Sequence, residues 1–412
     1  MIRVEGTVAD SYRWSNAARV LSRAPRVRRA LAVLSVVPVV LTAAACGPAV
    51  ENRNEGTLVT VGGATMGTTF TVTVALGAGE PADSAGDAAG RDAEAAGPRA
   101  GEPATGAVDA GGRDARAGNP LPDPAVLQAA VQQRLDRVEE RMSHYRPDSE
   151  VSRFNGARST APQPMSAETL GVVAEALAVS RESGGAFDVT VGPLVDAWGF
   201  GPAGRAPAAP EEAALAALRT RVGFGLLEID SAASTLRKRR AEVVIDLSAI
   251  AKGYAVDAVA SLLAELGVRN YLVEIGGELR AAGANEEGAP WRVAIERPAA
   301  GAPAAQRIVP LTDAAIATSG DYRNFYNLDG ARVAHMIDPR TGRPASHGLR
   351  SVSVIAERCS LADARSTALA VLGPDDGHAL AVERGWAALF VTQDGTGRLV
   401  ERETPAFAAA VE

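Results

Sequence analysis

The spacing of apolar residues along the chain switches between the repeat of a helix and that of a strand. From Leu127 to Met142 apolar residues recur every three or four positions, which predicts a helix over about 126–142. Residues 58–75 alternate instead, which predicts a pair of strands. The same patterns predict helices at about 166–183, 210–222, 255–266, 361–372 and 375–384, strands at 226–230, 242–247, 270–281, 291–297, 306–311, 314–318, 332–337 and 350–356, and a hairpin at 387–401.

The order of these elements predicts the fold class. Helices and strands are interspersed without a strict alternation, which favours an α+β fold over a doubly wound parallel sheet. The chain has 412 residues, 47% of them hydrophobic, so it can bury a sizeable core. Its net charge of −7 and its pI near 5.4 argue against a nucleic-acid partner.

Residues 244–278 form the most informative segment. Their pattern predicts a strand, a polar turn with Asp246, Ser248 and Lys252, a helix with Asp257 about one turn inside it, and a second strand. A cation beside a helix N-terminus favours binding of an anion. Lys252 is also one of only two lysines in a chain that otherwise uses arginine, and the two cations are not interchangeable. An ordinary strand–helix–strand unit with a solvated lysine is the alternative.

The N-terminus has the pattern of an export signal. Several arginines before residue 30 precede the apolar run 30–45, which is too short for a membrane span. Small residues before Cys46 resemble a bacterial lipobox, in which Cys46 would carry the lipid; a plain secretory signal with a coincidental cysteine is the alternative. The second cysteine, Cys359, is predicted to be a buried free thiol.

The remaining chain divides by composition. Residues 77–124 are rich in Ala, Gly, Asp, Arg and Pro and contain almost no large apolar side chains. Such a segment cannot bury enough surface to offset the entropy of ordering, so we expect a disordered insertion in a loop. The predicted organisation is a signal at 1–46, a tether at 47–60, a folded domain at 61–401 and a C-terminal tail at 402–412.

Two candidate sites, one with Asp363 and Thr367 and one with His335, could carry chemistry. Asp363 and Thr367 lie four residues apart on a predicted helix, so carboxylate and hydroxyl share one face and offer hard oxygen ligands suited to Mg²⁺. A helix cap with a packed threonine gives the same spacing. His335 precedes a rigid Asp-Pro turn, which suits a general base or a phosphate donor; a structural histidine is equally compatible.

Several polar, glycine-rich segments occur in a fixed order, at 142–150, 184–201, 244–278, 317–322, 335–344 and 362–368. Together they resemble the FAD:protein FMN transferase family, the ApbE-type flavin transferases, over about residues 65–391. The resemblance implies a compact, T-fold-like α+β enzyme that is exported and often lipid-anchored. It implies that the enzyme uses Mg²⁺ and FAD, moves the FMN half of FAD onto a Thr or Ser hydroxyl of an acceptor protein, and releases AMP.

The resemblance also assigns roles to individual residues. His335 would take part in catalysis, and Asp257 would hold the adenosine end of FAD. By its own charge, and not through the resemblance, Lys252 could neutralise the pyrophosphate together with Mg²⁺. The metal would be held by the side chains of Asp363 and Thr367 and by the carbonyl of Ala251, with Ser366 standing where some relatives have a further acid. The remaining contacts to FAD would come from Met66, Tyr145, Ala186, Phe187, Asp188, Ser248, Tyr254 and Ile337.

Two other functions remain compatible with these residues. The same site with water as acceptor would make the protein an FAD pyrophosphatase that releases FMN and AMP. A non-catalytic lipoprotein that binds or delivers FAD is the second alternative, although the metal-binding pattern and His335 favour an enzyme. The expected location is the outer face of the bacterial cytoplasmic membrane, or the periplasm, through the lipid on Cys46.

Overall fold

The computed structural model describes residues 53–54, 58–76, 123–201, 209–299, 304–321, 324–328 and 331–412. The predicted signal with Cys46 and nearly all of the predicted insertion, residues 77–122, lie outside these residues. Within them, no helix is long and apolar enough to cross a membrane.

The helices begin where polar side chains can accept the first free backbone N–H groups. Asp123, Ser149, Ser166 and Thr404 each cap a helix in this way. The described helices are α1 Pro124–Met142, α2 Glu150–Gly156, α3 Ala167–Glu182, α4 Gly192–Ala197, α5 Glu212–Arg219, α6 Ser248–Glu265, α7 Cys359–Leu372, α8 Asp376–Arg384 and α9 Pro405–Val411, and a 3₁₀ turn covers Phe224–Leu226.

The strands are mostly short and separated by turns. They are β1 Arg53–Asn54, β2 Leu58–Thr65, β3 Thr68–Ala75, β4 Gln163–Pro164, β5 Leu227–Asp230, β6 Thr235–Lys238, β7 Tyr271–Ile275, β8 Glu278–Ala282, β9 Trp291–Glu296, β10 Ala305–Leu311, β11 Ala315–Gly320, β12 Phe325–Leu328, β13 Ala331–Ala334, β14 Ile337–Asp338, β15 Arg343–Pro344, β16 Leu349–Ala356, β17 Ala387–Gln393 and β18 Leu399–Glu403.

One antiparallel sheet forms the centre of the molecule. Its strand order is β1-β2-β3-β7-β8-β11-β16-β17-β18, and four smaller sheets hold the other described strands. In the middle of the sheet, β11 pairs with β8 through Ala315 and Arg280 and with β16 along its whole length. Both α-helices and an antiparallel sheet share the core, so the predicted α+β class is confirmed.

The two faces of the sheet are covered differently. Strand residues alternate between faces, so Val273 packs toward α1, α3 and α6, while its neighbour Leu272 packs the other way. The helices α7 and α8 extend the first layer over β11, β16 and β17. The opposite face is covered by the β9–β10 hairpin and by Phe407 of α9. The helices α6 and α7 therefore lie side by side on one face, above the central strands.

Three predicted strands are corrected by the structure. The strand predicted at 332–337 ends at Ala334, and Ile337 already belongs to another small sheet, in which β14 pairs with β15. Residues 242–247 are not a strand, although Val243, Ile245 and Leu247 are buried as the alternation predicted. The side-chain amide of Asn155 accepts from the N–H of Ile245 at 2.7 Å and donates to its carbonyl at 2.8 Å, and so takes the place of a neighbouring strand. The predicted strand 270–281 is two strands, because Gly276 and Gly277 turn the chain with φ of 61° and 104°.

The helix predicted at 255–266 begins earlier than expected, at Ser248. The carboxylate of Asp246 accepts from the Ser248 N–H at 2.9 Å, so the first turn of α6 starts directly after it. Lys252 therefore lies inside α6 rather than in a turn before it.

The two ends of the predicted domain are also extended. At the start, β1 and the first residues of β2 lie in the segment expected to be a tether, because Arg53 and Asn54 pair with Thr60 and Val59. At the end, the expected tail contains the last residues of β18 and α9, and Phe407 is fully buried against the sheet. Cys359 is free and buried, as predicted.

Candidate active site

The helices α6 and α7 touch at a glycine. A Cβ atom on Gly253 would lie 2.3 Å from the carbonyl oxygen of Cys359, so only glycine allows the two backbones to approach this closely. At this contact the N–H of Gly253 donates to Oδ2 of Asp363 at 3.1 Å. The close approach of the helices therefore holds the carboxylate of Asp363, the predicted metal ligand, against α6.

Asp363 and Thr367 form a polar corner on α7. Asp363 is only 4% exposed, and burial raises the pKa of its carboxyl, against the opposing effects of Lys252 and the Gly253 N–H. Ser319 of β11 lies 3.2 Å from the hydroxyl of Thr367 and 2.9 Å from that of Ser366. The structure thus confirms that Asp363 and Thr367 lie one turn apart on a helix and adds Ser319, which the sequence segment contained without an assigned role.

Lys252 is held on the same side of α6 by two acidic neighbours. Its ammonium forms an ion pair with Glu278 of β8, whose other carboxylate oxygen, Oε2, is buried without a hydrogen-bond partner. Burial alone would lower the pKa of Lys252, but Asp363 and Glu278 raise it well above its ordinary value. Burial raises the pKa of Glu278, which Lys252 opposes. The lysine therefore keeps its charge in this corner.

Two acids beside the Gly276-Gly277 turn were missed by the sequence analysis. Glu278 forms the ion pair with Lys252. Glu274 belongs to the other face of the sheet by the strand alternation and accepts from the Gly277 N–H at 2.7 Å, and burial raises the pKa of its carboxyl. With Asp363 and Glu278 ionised, two carboxylates face one ammonium and leave one net negative charge. The signal in the sequence was the acidic pair beside the glycines.

This corner suits a divalent cation that has few protein ligands. A carboxylate and a hydroxyl are hard oxygen donors, and the surplus negative charge favours a dication. Among the described residues, no three His, Cys, Asp or Glu side chains come close enough to share a metal ion. A metal here would therefore complete its shell with water and phosphate oxygens. Ala251 lies inside α6, where the helix repeat directs its carbonyl toward the N–H of Ala255, so its predicted contact stays a prediction.

His335 follows β13 and is turned toward a backbone carbonyl. Its Nδ1 lies 3.1 Å from the oxygen of Asn324, and because a carbonyl only accepts, the neutral ring carries its proton on Nδ1 and leaves Nε2 as the acceptor. Burial lowers the pKa of His335 below its ordinary 6.5, and Lys252 lowers it further, against the Asn324 carbonyl and Asp321. The ring is thus a neutral base near pH 7.

A buried cluster brings several predicted segments together. Ala186, Ala317, Met336 and Ala362 pack in one apolar cluster, so the loop at 184–188, the end of β11, the segment after β13 and α7 are neighbours. Ala186, Phe187 and Ile337 are buried in the protein. Their contacts with FAD stay predictions.

Asp188 is also buried, and its carboxylate is used within the protein. It accepts from the N–H and hydroxyl of Thr190 at 2.8 and 2.6 Å and from the N–H of Phe224 at 2.6 Å. Burial raises the pKa of Asp188, which these hydrogen bonds oppose. The carboxylate therefore fixes the loop that follows the segment 184–187.

The start of α6 forms a second polar group. Asp246 accepts from Ser248 and lies 3.2 Å from Nδ1 of His144. Burial would lower the pKa of His144, but Asp246 raises it above its ordinary value. Beside this pair the ring of Tyr145 is 55% exposed and lies 4.1 Å from that of His144. His144 was not assigned from the sequence, since nothing in its spacing pointed to Asp246 a hundred residues later.

Three predicted FAD contacts have protein partners of their own. Met66 lies in the β2–β3 turn with φ of 49°, and its N–H donates to Glu139 at 2.5 Å. Tyr254 donates to Glu168 at 2.5 Å and lies on a different side of α6 from Lys252, because residues two apart are about 200° apart around a helix. Asp257 binds Arg280 and the start of α7.

A cavity of about 290 Å³ lies between α1 and α6, and Glu168, the partner of Tyr254, is among its lining residues. It is lined by none of the predicted site residues, and its largest side chains are Arg134, Arg137, Arg141 and Glu168. Arg134 and Arg141 both form ion pairs with Glu168. The cavity is therefore a surface between paired charges rather than part of the candidate site.

Known proteins resemble this chain in sequence. Residues 66–390 match the model of the ApbE family. An FAD:protein FMN transferase of Vibrio cholerae is 45% identical over 275 residues, which cover 67% of this chain and 82% of that protein. The FAD:protein FMN transferase of Escherichia coli K12 is 40% identical over 273 residues, covering 66% of this chain and 78% of its own length.

Solved structures resemble it as well. The flavin transferase ApbE from Vibrio cholerae superposes with a TM-score of 0.70 at 37% identity, over 86% of this chain and 99% of that one. The apo form of the Pseudomonas stutzeri flavinyl transferase ApbE gives the same score and identity and covers 86% of this chain and 96% of its own. These matches confirm the predicted ApbE-type fold.

Proposed function

This chain belongs to the ApbE family, and from that premise we infer that it is an FAD:protein FMN transferase. It moves the FMN half of FAD onto a Thr or Ser hydroxyl of an acceptor protein and releases AMP. The observation that supports this site chemistry is the buried carboxylate of Asp363, held 3.1 Å from the Gly253 N–H, with the hydroxyl of Thr367 one turn further on.

The residues of this corner fit Mg²⁺. Asp363 and Thr367 would hold the ion by their side chains, and phosphate oxygens of FAD would supply ligands that the protein lacks. When bound, such an ion neutralises charge on the pyrophosphate and on the leaving phosphate. Lys252 adds a fixed positive charge at the same edge, and its ion pair with Glu278 holds the ammonium in place.

The reaction replaces the phosphoanhydride linkage of FAD by a phosphate ester linkage to the acceptor. The hydroxyl oxygen of the acceptor forms a bond to the phosphorus of the FMN half, and the bond from that phosphorus to the bridging oxygen of AMP breaks. The hydroxyl proton passes to Nε2 of His335, which is free because Nδ1 faces the Asn324 carbonyl. AMP leaves with the bond's electron pair, so no oxidant or reductant is needed.

The remaining contacts to FAD are proposed from the exposed or backbone groups around this centre. The exposed ring of Tyr145 offers a stacking surface, and the hydroxyl of Ser248 lies at the start of α6. Ala186 and Met336, the neighbour of Ile337, pack with α7 in one apolar cluster, so the backbone of both segments is near α7. We also propose export and anchoring through a lipid on Cys46, which would place the site outside the cytoplasmic membrane.

A mass measurement on an acceptor domain tests the function. The purified protein is incubated with FAD, Mg²⁺ and a flavin-acceptor domain that carries a Thr or Ser attachment site. We expect a mass gain equal to one FMN phosphoester, lost when EDTA is added or when the acceptor hydroxyl residue is changed to Ala. Release of free FMN and AMP without any mass gain would make the protein a pyrophosphatase. FAD binding without turnover would make it a carrier.

A further inference from the structure

Asp257 joins α6 to the first residues of α7. We propose that it is a positioning residue, which fixes the start of α7 and thereby places Asp363 for the metal ion. The inference rests on the proposed role of Asp363 in binding Mg²⁺. It replaces the role at the adenosine end of FAD that the family resemblance suggested for Asp257.

The start of α7 is capped by a residue from another helix. The residue at the usual capping position, Arg358, makes no side-chain hydrogen bond to the helix. Instead, the carboxylate of Asp257 accepts from the N–H of Cys359 at 3.0 Å and from the N–H of Ser360 at 3.0 Å. A carboxylate beside the free N–H groups of a helix start stabilises that start through both hydrogen bonds and the helix dipole.

The same carboxylate is largely occupied within the protein. Besides the two N–H groups, Arg280 donates to Oδ1 at 2.5 Å. The single hydroxyl hydrogen of Ser360 is shared between Oδ2 of Asp257, at 3.0 Å, and Glu175, at 2.8 Å. A carboxylate offers about four lone-pair positions, so three full donors and this shared one leave little room for a ligand. Asp257 is also 92% buried, being 8% exposed. A hydroxyl of adenosine would have to displace one of these donors.

The position of Asp257 couples the capped end of α7 to the metal corner. Gly253 lies one turn before Asp257 on α6, and Asp363 lies one turn after Cys359 on α7. The two helices are therefore linked twice in succession, by Asp257 to the start of α7 and by the Gly253 N–H to Asp363. If the first link is lost, the first turn of α7 is released, and the Asp363 carboxylate loses its fixed place.

Binding of Mn²⁺ alone tests the proposal without relying on turnover. Free Mn²⁺ is measured by electron paramagnetic resonance during titration of the full chain, and FAD affinity is measured separately in EDTA by flavin fluorescence. We expect Asp257→Asn to weaken Mn²⁺ binding about tenfold, as changes behind a metal ligand commonly do, with FAD affinity in EDTA unchanged. The activity of this variant should recover toward the parent rate at high Mg²⁺.

Two variants serve as controls. Glu175 shares the Ser360 hydroxyl with Asp257 and pairs with Arg358, but within the described part of the chain it makes no hydrogen bond to the backbone of α7. Glu175→Gln should therefore leave Mn²⁺ binding unchanged. Ser360→Ala removes the hydroxyl that Asp257 shares with Glu175 and should weaken Mn²⁺ binding about threefold, the size of a single hydrogen bond. It decides the question if Asp257→Asn does not fold.

The outcomes separate the inference from the function on which it rests. If Asp363→Ala binds Mn²⁺ as tightly as the parent chain, the proposed metal site itself is wrong. If Asp363→Ala loses Mn²⁺ while Asp257→Asn and Ser360→Ala keep it, the positioning role is wrong. If Asp257→Asn weakens FAD binding in EDTA and leaves Mn²⁺ binding intact, the adenosine role is correct instead.

Discussion

The candidate site has two halves, the proposed metal ligand Asp363 and the proposed base His335, and they lie on very different parts of the fold. Asp363 stands on α7, which is packed against α6 and buried in the main core, and the carboxylate itself is only 4% exposed. His335 follows the β12–β13 pair, a two-stranded sheet separate from the central one. That pair packs through Tyr326, Leu328 and Val333 on a small cluster with α4 and α5.

The difference indicates that the helix pair serves metal binding and that the β12–β13 pair serves proton transfer. A metal site needs a ligand held in a fixed place, and a close helix pair with backbone contact provides that rigidity. A base that takes a proton from a large acceptor protein can instead lie at the surface, where the acceptor has access. We call the β12–β13 pair together with His335 the arm. We therefore expect changes in the helix pair to affect metal binding and stability together, and changes in the arm to affect rate alone.

The largest effect should come from removing the carboxylate in the buried half. Asp363→Ala takes away the only ionised side chain proposed to bind the metal, so transfer of FMN to an acceptor should fall about a thousandfold. The rate is measured by flavin fluorescence of the acceptor after gel electrophoresis. Near-normal transfer at low Mg²⁺ in this variant would show that the metal binds elsewhere. Thr367→Ala removes the second proposed ligand, a neutral hydroxyl, and should reduce the transfer rate less.

A smaller loss of rate is expected from the base on the arm. His335→Gln keeps the polar shape but removes the proton acceptor, so transfer should slow about a hundredfold, while the free energy of unfolding stays within about 0.5 kcal/mol of the parent. Equal losses of stability and rate would show that His335 supports the fold instead.

The pH dependence of the rate identifies the same residue. The base works only when neutral, and burial lowers the pKa of His335 below 6.5. The rate should therefore be constant near pH 7 and fall only as the pH drops below that pKa. In His335→Gln this acidic limb should be absent; its persistence would assign it to another group.

The contact between the helices predicts the next effect. Gly253→Ala would put a Cβ 2.3 Å from the Cys359 carbonyl oxygen, so α6 and α7 must separate. We expect the free energy of unfolding to fall by about 2 kcal/mol and Mn²⁺ binding to weaken in the same variant. Ala255→Gly on the same helix is the control, because it lowers helix propensity without touching this contact. A stable Gly253→Ala with intact Mn²⁺ binding would show that the helix contact is not what holds Asp363.

In the buried half of the site, the sequence predicts only those contacts that join residues close together in the chain. Asp363 and Thr367 are four residues apart on one helix, so their shared face follows from the helix repeat alone. The ion pair of Lys252 with Glu278 and the bonds of Asp257 to α7 join residues up to a hundred positions apart. Those contacts exist only after α6 has packed on α7 and β8, and no spacing within one segment indicates them.

Alternation of apolar residues at 242–247 predicted correctly which side chains are buried, but it predicted wrongly that the segment is a strand. Val243, Ile245 and Leu247 are buried as their pattern predicted, yet Asn155 satisfies the backbone of Ile245 in place of a strand. The pattern reports which face of a segment meets the core, while the hydrogen-bond partner depends on a residue about ninety positions earlier. The early start of α6 was missed for a different reason, because its signal is local: the carboxylate of Asp246 accepts from the Ser248 N–H only two residues later.

The smallest effect on the free energy of unfolding is expected from a substitution on the arm. It tests most sharply whether the arm and the helix pair are separate. Phe325 is 40% exposed on β12, and its ring lies 3.7 Å from the guanidinium of Arg332. Phe325→Ala should reduce the free energy of unfolding by no more than about 1 kcal/mol, the size of one exposed cation–π contact. Phe390→Ala is the matched control, because that ring is fully buried beneath α8 and its removal should cost about 4 kcal/mol.

Both variants are unfolded in urea and titrated with Mn²⁺. If the arm is separate from the metal half, Phe325→Ala keeps the parent Mn²⁺ affinity and a nearly unchanged unfolding midpoint. A loss in Phe325→Ala that approaches that of Phe390→Ala would mean that the arm and the core unfold as one unit. The two halves of the site would then share a single rigid support, and rate and metal binding should respond together to changes in either half.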